Sequence, residues 1–352
     1  MTQRLTGIDA LRGLAVLLMI EQHLGVWLWD HNGSMFDYPF FLCLNGLGGF
    51  AAPVFITLAG LGVSFIEDRH GRADLRLMVR GGGVLFFGYC LNFATPNWFS
   101  PGSWYVLHMI GAALIVSPLF KRLPSKGIII IFAAVIIATV FLQNAFETPL
   151  KLGNRRLGNY HLPGGIFRLA FLEGHFPFFP WLSFFLAGIL SGRWLKSGQK
   201  KHILVFGCIS LCAGTCLALF NIAGFDFAVK DPLLRACKIL PRFYPALSPI
   251  TLLLIGLVLI YVFAVTFIET RWKVGPNHPI VCLGRTSLTF LFVHVVVFRE
   301  MSRYFHFWRK FSITETLLIT FIVLIIFGIC AAMWRRVDFR FGGEWLIRKI
   351  AG

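Results

Sequence analysis

Ten apolar stretches, each long enough to cross a lipid bilayer, follow one another through this chain. They lie at roughly 11–29, 46–66, 77–95, 104–120, 127–146, 177–195, 203–223, 247–268, 279–298 and 314–334. In hydrocarbon each backbone N–H and C=O needs a partner, and segments of this length find one within themselves as helices. The sequence is therefore read as all-α: a polytopic membrane bundle of about ten transmembrane helices, forming a single domain over 1–352. With 57% hydrophobic and 14% charged residues, a soluble domain is excluded.

Basic residues orient the bundle. With the N-terminus inside, Lys and Arg weigh 19 to 12 toward that side, which predicts both termini in the cytoplasm and an even number of helices. The last segment, 335–352, is read as an amphipathic cytoplasmic tail. A net charge of +17 is then a topology signal and an attraction to lipid headgroups. Because the cations are scattered over short loops, they do not point to nucleic acid. Two long loops on the opposite side, roughly 147–176 and 224–246, have the length at which loops carry function. The charged Asp9 and Arg12 at the start of the first stretch, the polar Glu21-Gln22-His23 within it and the lack of an A-x-A site mark a retained anchor rather than a signal peptide. Eight cysteines form no disulfide framework, and Cys208, Cys212 and Cys216, four residues apart, suggest small-residue packing on one helix face.

Ionisable groups inside spans are costly, so each is a functional candidate. On the first helix Arg12 and His23 are eleven residues apart. At about 100° per residue they share one face, separated along the axis by about 16 Å, near half the thickness of the hydrocarbon core. Asp9 shares that face and predicts an ion pair with Arg12, with the histidine deeper along the helix. Glu21 projects from another face and cannot orient His23. In the ninth stretch Arg285 and His294 lie on opposite sides of a straight helix, whereas Ser287 and His294 share one. The second stretch holds Asn45, a small-residue run, and Pro53, which predicts a kink or an unwound turn. His108 opens the fourth stretch near its surface. His175 and Trp181 lie in EGHFPFFPWLSFFLAG, read as an interfacial helix start with Trp181 in an aromatic belt.

RLTGIDALRGLAVLLMIEQH, GGFAAPVFITLAG, VLHMIGAAL, EGHFPFFPWLSFFLAGILSG and LGRTSLTFLFVH occur in that order. Together they resemble the catalytic-domain family of heparan-α-glucosaminide N-acetyltransferase in its short bacterial form, within a wider set of membrane acyltransferases that modify glycans. The likeness runs nearly end to end and includes the tail FRFGGEWLIRKIAG. It implies transfer of an acyl group, usually acetyl, from cytosolic acetyl-CoA to a sugar or glycan across the membrane, with no metal. The family's motif histidine falls on His23, its arginine on Arg12 and its acidic residue on Asp9, while Pro53 and Gly60 match the second-span motif. His31, followed by Asn32, is the second choice for the histidine. A bacterial inner membrane is implied by the same resemblance. The partners implied are the lipid bilayer, acyl-CoA and the acceptor, with no nucleic acid and a homodimer left open.

The chemistry agrees with this. Phosphates of acyl-CoA would stay at the inner surface, where Arg12, Arg80, Arg193 and Arg285 are the candidate contacts, while the slim pantetheine arm reaches inward. A histidine can deprotonate the acceptor or carry the acyl group itself. Asn45, Ser287 or His294 could donate to the oxyanion. The competing reading is a transporter or exporter that uses Asp9, Arg12 and His23 for substrate or proton coupling. Against it stands the lack of a convincing internal repeat.

Overall fold

The computed structural model describes residues 6–66, 71–153, 157–222, 232–238 and 244–352. Arg4, Arg69, Arg155, Arg156, Lys230 and Arg242, all counted in the charge bias, lie outside these, as does most of the second long loop. In chain order the main helices are α1 (Thr6–Leu28), α2 (Pro39–Gly48), α3 (Ala51–Val63), α4 (Ala73–Ala94), α5 (Val106–Arg122), α6 (Ser125–Ala145) and α7 (Phe178–Lys196). There follow α8 (Lys200–Ile222), α9 (Ser248–Ile268), α10 (Pro279–Arg285), α11 (Ser287–Val295), α12 (Ile313–Trp334) and α13 (Gly343–Ala351). The protein is an all-α membrane bundle, and all ten apolar stretches are helical.

Eight candidate spans among the described residues, 19 to 25 residues long, are apolar enough to cross a membrane. The stretch at 104–120 becomes the 17-residue α5. The ninth stretch departs from the straight helix expected of it: α10 and the helix that begins at Ser287 meet at an angle of 80°. At the break Thr286 Oγ1 donates to the carbonyl of Cys282 at 2.9 Å, a local bond that competes with helix continuation. The relation inferred for Arg285 and His294 along one straight axis therefore does not hold. The break leaves the first N–H groups of α11 without carbonyls in their own helix. Glu344, from α13, supplies the missing acceptor: its carboxylate takes the N–H of Leu288 and of Thr289, and Thr289 Oγ1 at 2.6 Å. Burial raises the Glu344 carboxyl above its usual range, and these hydrogen bonds offset only part of that rise.

Backbone contacts divide the chain into two compact units, one of residues 1–55 with 264–350, the other of 56–263. In the first, α1 lies against α10 at backbone distance. A Cβ on Gly13 would fall on the carbonyl of Ile280, and one on Gly284 on the carbonyl of Asp9. Only glycine permits that approach. The far end of α1 is tied to the segment before α12: Arg309 N–H donates to Trp27 O at 2.9 Å, and Lys310 and Phe311 N–H to Leu28 O at 3.0 Å. Ser312 then opens α12 with a reciprocal cap to Glu315.

In the second unit α7 is enclosed, with Pro180 through Gly192 all buried. That overturns the belt position expected of Trp181, which is 0% exposed: a helix covered on every side offers lipid no face. Gly60 and Gly188 sit where α3 meets α7, each against a carbonyl of the other helix. Arg193 Nη1 and Nη2 donate to the carbonyls of Leu123, Lys121 and Phe120 at 2.7–3.1 Å, closing the C-terminal end of α5. Cys208, Cys212 and Cys216 are exposed. They do not serve the helix packing expected of them, because their face of α8 points away from its neighbours.

Candidate functional site

The first unit brings together two of the pairs that matter. At one end of α1 the buried Asp9 accepts a hydrogen bond from Arg12 Nη1 at 3.1 Å, completing the expected ion pair. Arg285 follows Gly284, whose backbone touches Asp9 and Gly13, so both arginines belong to this corner. The Arg285 guanidinium stands over the Phe339 ring at 4.5 Å.

Three turns along α1, His23 meets His294 of α11, with Nδ1 of the first 2.8 Å from Nε2 of the second. His294 is 0% exposed, and its own Nδ1 lies 2.9 Å from the carbonyl oxygen of Phe290. A carbonyl only accepts, so His294 Nδ1 carries a hydrogen. In neutral His294 the Nε2 lone pair then accepts, and His23 Nδ1 donates to it. His23 is thereby held as the Nδ1–H tautomer, with its lone pair on Nε2. One turn on, Trp27 stacks on His23 at 4.7 Å between ring centroids and 19° between planes. The imidazole is fixed in tautomer by one residue and in orientation by another. Such a group can take a proton on Nε2 or attack a carbonyl with it, and the resulting positive charge is shared with His294.

Trp27 escaped sequence reasoning although it stands four residues from His23, the spacing of side chains that touch on a helix. Phe290 gave no signal, because its contribution is a backbone carbonyl. Asn45 is buried and donates to the carbonyl of Gln22 at 3.1 Å. Ser287 shares α11 with His294, yet both nitrogens of His294 are taken by Phe290 O and His23. His31 is exposed, with Nε2 3.1 Å from Val26 O. In the second unit Arg80 is half-buried on α4.

That unit has its own histidines. His108 is fully buried, with the rings of Tyr89 and Tyr105 at 4.5 and 4.8 Å. His175 is buried against Phe99 and Tyr244, and burial lowers it from 6.5 to about 4. Its unfolded form binds a proton that the folded form refuses. Stability present above pH 6.5 is therefore lost as pH falls toward 4, by at most about 3 kcal/mol. Thermal melts of the detergent-solubilised protein should show this loss, and His175→Gln should flatten it. A mutant curve as steep as the wild-type one would assign the acid sensitivity to other groups.

The heparan-alpha-glucosaminide N-acetyltransferase catalytic family model matches residues 4–220. That stretch contains Asp9, Arg12, His23, Asn45, Arg80 and Arg193, whereas Arg285, His294 and the tail lie beyond it. No curated protein matches the chain. With Asp9, Arg12 and His23 arrayed on one helix inside a membrane bundle, and more than half its length matched, the chain belongs to the heparan-alpha-glucosaminide N-acetyltransferase catalytic family.

Proposed function

We propose that this protein transfers an acyl group, acetyl by the family's pattern, from acetyl-CoA to a sugar or amino sugar of a glycan, through His23. The observation that carries the reading is the chain His23–His294–Phe290 carbonyl, which holds His23 as the Nδ1–H tautomer. In direct transfer Nε2 removes the proton as the acceptor oxygen or nitrogen attacks the thioester carbon. The C–S bond then breaks, and the imidazolium returns the proton to the leaving thiolate, giving CoA thiol. In the covalent variant Nε2 attacks first, the C–S bond breaks and CoA leaves as the thiol with the imidazole's proton; the acyl-imidazole then passes its acyl group to the acceptor, whose proton restores the imidazole. His294 is the positioning residue in both.

Arg12 and Arg285, which share the corner at the start of α1, are the leading contacts for the phosphates of CoA; Arg80, in the second unit, is a separate candidate. Arg193 is the weakest member of the expected set, since its guanidinium already serves three carbonyls. In this reading the donor meets the cytoplasmic side, with both termini, and the acceptor the opposite side of a bacterial inner membrane; the excess of Lys and Arg toward the Arg12 end supports that orientation.

The test uses sealed vesicles holding trapped amino sugars, with radiolabelled acetyl-CoA added at the face that bears Arg12. Label should appear on a trapped sugar. His294→Ala should slow transfer by about one to two orders of magnitude with KM for acetyl-CoA unchanged, since tautomer control is lost while donor contacts remain. No label on any sugar, with no shift in Tm at millimolar acetyl-CoA, would favour a carrier instead.

A further inference from the structure

The segment that leaves the ninth span gathers three arginines about one indole. The guanidinium carbons of Arg299, Arg303 and Arg309 lie 4.1, 4.5 and 5.7 Å from the Trp308 ring centre. Arg299 and Arg303 are thus no more than about 9 Å apart, within the range over which salt leaves charges in contact. Arg299 is 6% exposed, whereas Arg303 and Arg309 are open to the surroundings. Glu300 partly offsets Arg299. Arg303 and Arg309 thus present two guanidinium groups at the surface beside one indole, where an anion can meet them.

What surrounds the cluster says which anion. Met301, Tyr304, Phe305 and Phe307 are all exposed, Tyr304 at 80%. Large apolar side chains turned outward beside a span belong at the boundary between hydrocarbon and headgroups. Guanidinium groups at that level meet phosphate oxygens, to which they can bond in pairs.

We propose that Arg299, Arg303, Arg309 and Trp308 form a binding site for the phosphate of an anionic phospholipid. The site does more than anchor the chain. The N–H of Arg309 is bonded to the carbonyl of Trp27, the residue stacked on His23, so an occupying lipid braces the end of the helix that presents the histidine. The inference goes beyond the transfer reaction and stands or falls without it.

Native mass spectrometry of the full chain, released from detergent containing equal phosphatidylglycerol and phosphatidylcholine, tests it. Wild type should retain the anionic lipid about tenfold over the zwitterionic one. R303Q/R309Q, whose substitutions are exposed, should melt like wild type and lose most of that preference. Arg303→Gln alone should lose part of it, and Lys310→Gln should keep it. Equal retention of both lipids by wild type, or an unchanged preference in R303Q/R309Q, would overturn the proposal. Displacement of the bound lipid by millimolar inorganic phosphate or glucuronate would also overturn it, in favour of a site for soluble anions.

Discussion

His23→Ala should lower transfer by about two to four orders of magnitude, the usual contribution of a positioned general base, while acetyl-CoA still binds. The separation of these effects follows from the helix. His23 lies three turns of α1 beyond Arg12, so truncating it leaves the arginine corner intact. Isothermal titration of acetyl-CoA against the variant, beside the vesicle assay, measures both. His23→Gln is the sharper control, because it keeps a hydrogen-bond donor toward His294 without a basic nitrogen. If His23→Gln transferred at the wild-type rate, the histidine would be a structural link between α1 and α11, and the reactive group would lie elsewhere. Loss of both transfer and binding would mean that His23 supports the donor site rather than the chemistry.

Arg12→Ala should be the most destabilising of these substitutions, by about 3–5 kcal/mol, because it removes the cation facing a carboxylate that is 3% exposed. The cost comes from the charge left behind rather than from the lost bond. Asp9→Asn combined with Arg12→Ala should therefore recover much of the stability, since a neutral amide tolerates that setting better than a carboxylate. Melting curves of the two single variants and the double variant form a cycle that isolates the pair. A Tm for Arg12→Ala equal to that of wild type would show that Asp9 is satisfied by other groups. Donor binding is read separately: even in the double variant, CoA affinity should fall if Arg12 meets a phosphate.

What was legible in the sequence had a period or a length. Apolar runs of spanning length gave the helices, and helical periodicity put Asp9, Arg12 and His23 on one face. The break at Thr286 was not legible, because its two causes are a hydroxyl bond to the preceding turn and a carboxylate more than fifty residues away. With the break hidden, a straight helix puts His294 opposite Arg285 and on one face with Ser287. The partner of His23 was hidden for a similar reason: it is 271 residues distant, and nothing local distinguishes it from other histidines. Trp181 shows the converse error. Its proline-rich, aromatic surroundings read as a membrane boundary, yet α7 is enclosed and the same aromatic residues are its core.

The contact between Glu344 and the start of α11 changes how damage to this protein should be interpreted. The segment 343–351 follows the last span and could pass for dispensable. A stop codon just after α12 would leave every candidate span among the described residues encoded, and such a product would pass any test based on counting them. It would nonetheless lack the acceptor for the N–H groups of Leu288 and Thr289, in the half-helix that carries His294. Truncated alleles of this kind belong with substitutions at His294, not with harmless trimming.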